Sequence, residues 1–316
     1  MRPKLVITFV IVFALVYGGM VGLKWLDRHW VEVAKTQLSD LGLPWQRVGA
    51  ASKSFAVPAG RKLVIESSYG DVTILGGGRG VTVEATRYVR AETARDARGK
   101  AKPPTLSGEI AGEAFKIATD RPSGGFGVKT DLVVHLPAGM ALAIEARTGK
   151  VTVSGLTAAV KVAVTAGEVE VKHGRGAVNV HAGAGNVTIT DVRGAVTADA
   201  GTGEITLDEI TGPIAATCRA GNVTLHRTQS DRIVATSSVG NVDVSPGKPF
   251  SGTLKAHTGT GNVTVSLPNG SRCRVKTDVG MGQIQNSLPP EVEAGHPPGL
   301  VEASSSMGNV DVTAAE

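Results

Sequence analysis

The sequence predicts an all-β fold: a parallel β-solenoid (β-helix) of about 18-residue coils, preceded by an N-terminal transmembrane helix. Three observations predict it. Glycines at Gly149, Gly167, Gly185, Gly203 and Gly221 recur every 18 residues. Around each, apolar residues stand seven and five positions before, a small or β-branched one three before, and apolar ones two and four after. At Gly185 these are Val178, Val180, Ala182, Val187 and Ile189; at Gly221 they are Ile214, Ala216, Cys218, Val223 and Leu225. Alternation of period two means strands with one buried face. A fixed period near 20 residues marks a stack, in which each unit buries its apolar face against its neighbours. The third observation is an uncharged apolar run at 5–23.

That run is 19 residues long, bounded by Arg2 and Lys4 before and Lys24 after. As a helix it would span about 28 Å, close to a hydrocarbon core of about 30 Å. Residues 1–23 therefore read as a cytoplasmic end and membrane anchor, with the lipid bilayer as partner through 5–23. A cleaved signal peptide is the competing reading; Gly18, Gly19 and Gly22 are small, but no A-x-A-like site stands there. Either way the chain is exported, with its solenoid extracytoplasmic, periplasmic or on the cell surface. Arg2 and Lys4 place the amino terminus in the cytoplasm.

Residues 24–53 read as a juxtamembrane amphipathic stalk, since Trp25, Leu26, Trp30, Val33, Leu38 and Leu41 recur at helical spacing. Trp25 and Trp30 suit the headgroup level. Pro44 ends the helix, and residues 52–54 lead into the first strand. Residues 54–141 form an irregular β-cap. Leu63, Ile65, Ser67, Gly70, Val72 and Ile74 fit the repeat, but then it breaks. Val81, Val83 and Ala85 begin a strand towards Val89, residues 94–104 read as a loop or short helix, and strands resume at 114–118 and 128–136. Pro137, Ala138 and Gly139 turn the chain into the regular repeats of 142–316.

Those repeats continue with looser spacing at Gly240, Gly261, Gly282 and Gly308, as insertions placed at corners would give. A further corner is expected at Gly176, Gly194 and Gly212, with Leu156, Val192 and Ile210 pointing inward just before it. Nine rungs from Gly149 to Gly308 would make a rod about 40 Å long. Asn-Gly hairpin turns would argue for an antiparallel meander, but here the glycine comes first, as in Gly185-Asn186. The last rung, 301–312, reads as the uncovered end. An exposed strand edge recruits other strands. It needs either the segment bearing Pro289, Pro290, Pro297 and Pro298 as a cover, or self-association through the C-terminal rung.

Phe55-x-Val57, Leu63-x-Ile65, Gly70-Asp71-Val72, the run Leu132-Val133-Val134-His135-Leu136-Pro137-Ala138-Gly139 and the serial Gly-x-Val-x-Val rungs together resemble the bacterial adhesin-like β-strand-repeat family. That family is a domain of unknown function related to autotransporter adhesin head domains. The resemblance spans residues 55–312. It implies a solenoid fold and export behind an N-terminal membrane segment or signal, and it supplies no catalytic residue.

Composition narrows the function classes. Aromatic residues are 4% and glycines number 41, so a narrow interior of Val and Ala leaves no room for a bulky ligand. The 33 basic residues barely exceed the 28 acidic ones and are spread along the chain, which argues against a nucleic-acid partner. No H-E-x-x-H, G-x-S-x-G, P-loop or calcium-binding nonapeptide occurs, so the reading is not an enzyme, with no catalytic, cofactor-binding or metal residue. His181 and His257 lie four residues before their rung glycines, and Asp199 and Asp278 fall one rung on, giving two surface His–Asp pairs. Asn186, Asn222, Asn241, Asn262 and Asn309 follow rung glycines. The Asn-Val-Thr sequons at Asn186, Asn222 and Asn262 arise from that placement, and Asn222, Asn241 and Asn262 should form a hydrogen-bonded ladder. Thr188, Thr206 and Thr224 form an outward row; an ordinary strand surface is the default reading, and a flat face that binds glycan or ice is the alternative. Glu168, Glu170 and Glu204 read as ordinary surface residues. Cys218 points inward; Cys273 lies three coils on, about 14 Å along the axis, beyond disulfide reach.

These readings converge on a membrane-tethered extracytoplasmic solenoid that acts as a binding, adhesin-like or scaffolding module of the cell envelope, towards an envelope protein or glycan. The alternatives are a β-helix carbohydrate-active enzyme and a structural rod assembling end to end. Release of product from an envelope polysaccharide would separate the enzyme from the scaffold.

Overall fold

The computed structural model describes residues 42–120, 127–288 and 299–315. The expected anchor at 5–23, the amphipathic part of the stalk up to residue 41 and the prolines of 289–298 lie outside these. Among the described residues no helix is long and apolar enough to cross a membrane.

The chain begins with β1 (Trp45–Phe55), β2 (Lys62–Tyr69), β3 (Val72–Gly76), β4 (Val81–Arg90), α1 (Ala94–Lys100), β5 (Leu106–Ala111), β6 (Ala114–Thr119) and β7 (Val128–Leu136). Two-stranded coils follow: β8 (Leu142–Thr148) with β9 (Val151–Ser154), β10 (Val160–Ala166) with β11 (Val169–Gly174), β12 (Val178–Ala184) with β13 (Val187–Arg193), and β14 (Val196–Thr202) with β15 (Ile205–Thr211). Next come β16 (Ile214–Ala220) with β17 (Val223–Thr228), β18 (Arg232–Val239) with β19 (Val242–Pro246), and β20 (Thr253–Thr260) with β21 (Val263–Pro268). The last are β22 (Cys273–Met281) with β23 (Ile284–Asn286), and β24 (Gly299–Met307) with β25 (Val310–Ala315).

In each coil the first strand joins a 12-stranded sheet and the second a 13-stranded one. Neighbouring coils pair in parallel with like positions aligned: Val162, Val180 and Ala198 face one another across β10, β12 and β14. The template residues are the core, and Val178, Val180, Ala182, Val187 and Ile189 are all buried. The corner glycine has two reasons to be glycine. Gly185 sits at φ 138°, and a Cβ there would stand 1.9 Å from the Gly167 carbonyl oxygen one coil away. Every regular rung repeats that collision, so the stack requires a residue without a side chain.

The second bend is present and has an addition that the sequence did not announce. Leu156, Val192 and Ile210 do point inward, fully buried. The strands also break at the expected glycines, Gly176, Gly194 and Gly212, but a further turn precedes that corner by three residues, at His173, Asp191 and Glu209, and recurs at Arg227, all left-handed at φ 46–55°. Such residues carry a strain that glycine would not. Gly176 and Gly194 are needed there for close approach, since a Cβ would lie 2.3–2.4 Å from a carbonyl oxygen of the preceding coil.

Two further corrections concern the amino-terminal end. The first strand starts at Trp45, inside the region read as stalk, and runs antiparallel along β4. The cap is also less irregular than expected, because β2 and β3 form a regular rung on β8 and β9. A further rung, β6 with β7, lies outside it. Strand β5 pairs antiparallel to β6, and β4 pairs antiparallel to β7. Phe55 and Phe115, with centroids 5.8 Å apart, plug the core where β1 meets β5. A small second core of Val89, Ala91, Ala97 and Val128 holds α1 against the cap.

The carboxyl end is also out of chain order. Strands β24 and β25 lie between β20–β21 and β22–β23, so the rung of Gly308 is internal and that of Gly282 is terminal. Leaving β5 out of the 12-stranded sheet, and β1 and β4 out of the 13-stranded one, the described residues stack in eleven rungs, about 50 Å of axis.

Candidate functional site: the outer faces of the stack

A core filled rung by rung leaves the chemistry to the outside. At the corner leading into the 13-stranded sheet, the residue after the corner glycine forms a continuous ladder from Asn222 to Gln283. Asn222 Oδ1 accepts the Asn241 backbone N–H, Asn241 that of Asn262, and Asn262 that of Asn309, each at 2.9 Å. Asn309 then accepts the Gln283 N–H at 3.0 Å. The expected asparagine ladder is therefore present, but its rungs run from side chain to main chain. Asp71 plays the same part at the other end, accepting the Lys150 N–H, and Asp131 accepts the N–H of Asp71. These carbonyl and carboxylate oxygens satisfy corner N–H groups that would otherwise need water.

Beside this ladder runs the threonine row, with Thr188, Thr206 and Thr224 in register and Glu170 and Asp243 extending it. Glu168 and Glu170 are not free carboxylates. Lys150 Nζ lies 3.1 Å from Glu168 and 3.0 Å from Glu170, while Lys172 also binds Glu170. Hydrogen bonds from Lys172 and Lys150 hold the Glu170 carboxyl below the usual range, and hydrogen bonds to Glu170 first and then Glu168 raise the pKa of Lys150.

On the 12-stranded sheet His181 Nδ1 lies 3.4 Å from Asp199, as the coil period requires. The second expected pair does not form: His257 faces Ser304, at 2.9 Å, because the interleaved rung separates it from Asp278. A pair that sequence reasoning missed, His173 with Asp191 at 2.9 Å, joins two left-handed corner residues 18 positions apart. The period itself could have revealed it.

Two shallow depressions interrupt these faces. One, of about 530 Å³, is lined by Glu66, Glu145, Arg147, Thr165 and His181, and opens where Ala163 leaves a gap in the column between Glu145 and His181. Glu66 is tied to Lys116 at 2.7 Å. The other, of about 550 Å³, runs along the second bend between Asp191, Arg193, Glu209 and Arg227, where Arg227 binds Asp208 and Glu209. Among the described residues no group of three His, Cys, Asp or Glu side chains is placed to hold a metal ion.

Cys218 is fully buried, as expected, and donates from Sγ to the Gly203 carbonyl oxygen at 3.2 Å; burial pushes its thiol pKa up. Cys273 lies four rungs away rather than three, and the two cysteines form no disulfide.

Such a fold defines a class: a parallel β-solenoid with a sealed interior and laddered polar faces. Residues 60–315 match the profile of the Toastrack DUF4097 family, and the chain belongs to that family. No curated protein matches it. Among solved structures it is similar to a proposed cell adhesion protein from Clostridium sporogenes, at 12% identity over 84% of this chain and 99% of that one, with a TM-score of 0.29. A proposed adhesin from Bacteroides fragilis is 13% identical over 84% and 97%, with a TM-score of 0.33. One from Parabacteroides distasonis is 11% identical over 87% and 98%, with a TM-score of 0.34.

Proposed function

We propose that the chain is a membrane-tethered, extracytoplasmic binding or scaffolding module of the cell envelope, adhesin-like in displaying a rigid face to a protein or glycan. The observation that carries this reading is the continuous outer face. Thr188, Thr206, Thr224 and Asp243 run along the 13-stranded sheet in fixed register, offering a polymer with hydroxyl or amide groups a periodic row of partners about 4.8 Å apart. The uncharged segment 5–23 supplies the tether.

A non-catalytic role is supported by the state of the surface carboxylates. Glycosidic chemistry needs two carboxyl groups set at a working distance, one kept protonated. Glu168 and Glu170 share Lys150, and Glu66 is bound by Lys116. Purified residues 42–316, which include the whole of β1, can be incubated with envelope polysaccharides. Retention without turnover is the expected result, and released product would replace this reading with a carbohydrate-active enzyme. For the tether, the full chain should remain in membranes after alkaline carbonate washing; a mature amino terminus beyond Gly22 would reject it.

A further inference from the structure

The charge of the chain is unevenly placed along the stack. Residues 42–136 contain 14 Lys and Arg against 9 Asp and Glu, whereas residues 137–316 contain 14 against 16. The excess lies in the cap. Arg95, Arg98 and Lys100 of α1 and Lys102 just after it are all exposed, as are Arg47 and Lys53 of β1. Asp96, the acid among the helix cations, is engaged at the helix start with Thr93. Ala97 fastens the helix to the cap by burial against Val89, Ala91 and Val128.

The same end of the stack carries the β5–β6 hairpin. Its Ile110 is 58% exposed, while Phe115, its cross-strand partner, is buried. Glu109 and Glu113 beside it are exposed and reduce the local excess without cancelling it. This is also the end at which the chain arrives: β1 opens at Trp45, 22 residues after the last position of the apolar segment. Exposed cations beside a protruding apolar side chain are the composition of a surface that rests on lipid headgroups.

We propose that the cap end of the stack, formed by α1, β1 and the β5–β6 hairpin, lies on an anionic phospholipid surface. This rests on the tethering reading, since the tether would hold the cap at the membrane, and it adds a contact that orients the rod. Each Lys or Arg near such a surface contributes about fivefold in binding, weakened by salt.

The test is co-sedimentation of residues 42–316, which close their own core, with phosphatidylcholine vesicles with and without phosphatidylglycerol. Binding should require phosphatidylglycerol and fall as salt is raised from low to physiological. The triple change Arg95→Glu, Arg98→Glu and Lys100→Glu should weaken it about tenfold or more, and Ile110→Ser should weaken it further. Arg274→Glu with Lys276→Glu, at the opposite end, should leave it unchanged. Should the reversed helix unfold by circular dichroism, Arg95→Gln with Arg98→Gln keeps good helix formers and must still reduce binding. No dependence on phosphatidylglycerol, equal loss from the far-end variant, or equal competition by soluble polyphosphate would overturn the proposal. The tether is scored separately, by carbonate washing of membranes holding the full chain. Failure there with vesicle binding intact rejects the anchor alone, and the converse rejects the cap contact alone.

Discussion

His257 Nδ1 stands 2.9 Å from Ser304 Oγ, in the position that chain order would give to Asp278. The reason lies in the core columns. The rung of Gly282 places Thr277 and Asn286 where the rung of Gly308 places Ala303 and Val312. A polar pair is cheap at the end of the stack, where one side of the core is open, and costly inside it. The more apolar rung therefore takes the inner place, although it is made last. Paired cysteines test this order. In a background of Cys218→Ala and Cys273→Ser, His257→Cys with Ser304→Cys should oxidise to a disulfide within the monomer. His257→Cys with Asp278→Cys should not, because two strand spacings, about 9.6 Å, exceed the reach of about 7 Å. A disulfide in the second pair would restore chain order.

The corner pair of glycine and asparagine makes two unequal contributions. Gly221→Ala would force a Cβ to 1.9 Å from the Gly203 carbonyl at φ 144°, so the coil must open or the chain fail to fold. Asn222→Ala removes one acceptor from the Asn241 N–H, at a half-exposed corner where water can replace it, and should cost about 1 kcal/mol. Urea titration of both variants checks the ranking. Equal losses would mean that the glycine is a turn residue and nothing more.

The repeat was legible because one 18-residue period fixes three things together: the inward columns, the glycine corner and the residue facing it one coil on. Val180 and Thr188 could be assigned to opposite faces without any structure, and they lie buried and half-buried accordingly. The order of the last two rungs was written in Thr277 and Asn286, but both rungs fit the template, and their polarity becomes decisive only against the open end. The turn three residues before the second bend was missed because sequence logic assigns left-handed backbone to glycine, whereas His173, Asp191, Glu209 and Arg227 adopt it. Strand β1 lacks a clean alternation, since its two faces meet different surroundings: Trp45 lies against Arg90 and Tyr69 outside, and Phe55 against Phe115 at the core. The cap's main polar contact joins residues 33 positions apart with no period to announce it.

That contact is Arg87 with Asp120. Arg87 is 2% exposed, and its five N–H donors reach Thr130 Oγ1, the Lys102 carbonyl, the Asp120 carbonyl and both Asp120 carboxylate oxygens. Burial works to raise the Asp120 pKa, but the Arg87 and Thr105 hydrogen bonds outweigh it and hold the carboxyl below its ordinary value of 3.8. A lowered folded pKa means stability that is fully present above about pH 4 and lost as the pH falls through the folded value. Cap unfolding, followed by Trp45 fluorescence, should therefore become easier below pH 4 in the parent. Asp120→Asn should lower stability by about 1–2 kcal/mol at neutral pH, because it takes the counter-ion from a buried guanidinium, while the exposure of Asp120 and the remaining acceptors of Arg87 limit the loss. It should also flatten the acid limb. An unchanged limb would show that other carboxylates govern acid unfolding.

The position three before each corner glycine carries a different kind of support, which the period shows only as a preference for small residues. Ser237, Thr258 and Ser305 are buried, and each donates its hydroxyl to the carbonyl of the corner glycine one rung back: Gly221 at 2.8 Å, Gly240 at 2.7 Å and Gly261 at 2.8 Å. Cys218 does the same for Gly203 with a longer, weaker S–H bond. The corner carbonyl points inward because the glycine is left-handed, so it lies outside the parallel ladder. Ala182 and Ala200 occupy this column in earlier rungs, which shows that the fold survives without the bond. Ser237→Ala should accordingly cost about 1 kcal/mol, with cooperative unfolding retained. Cys218→Ser supplies a better donor at nearly the same volume, and should leave stability unchanged or raise it while removing the thiol. Thermal melts of the two variants decide the matter. A Cys218→Ser protein destabilised by more than Ser237→Ala would mean that this column is held by packing of the sulfur, and that the hydroxyls above it follow from size alone.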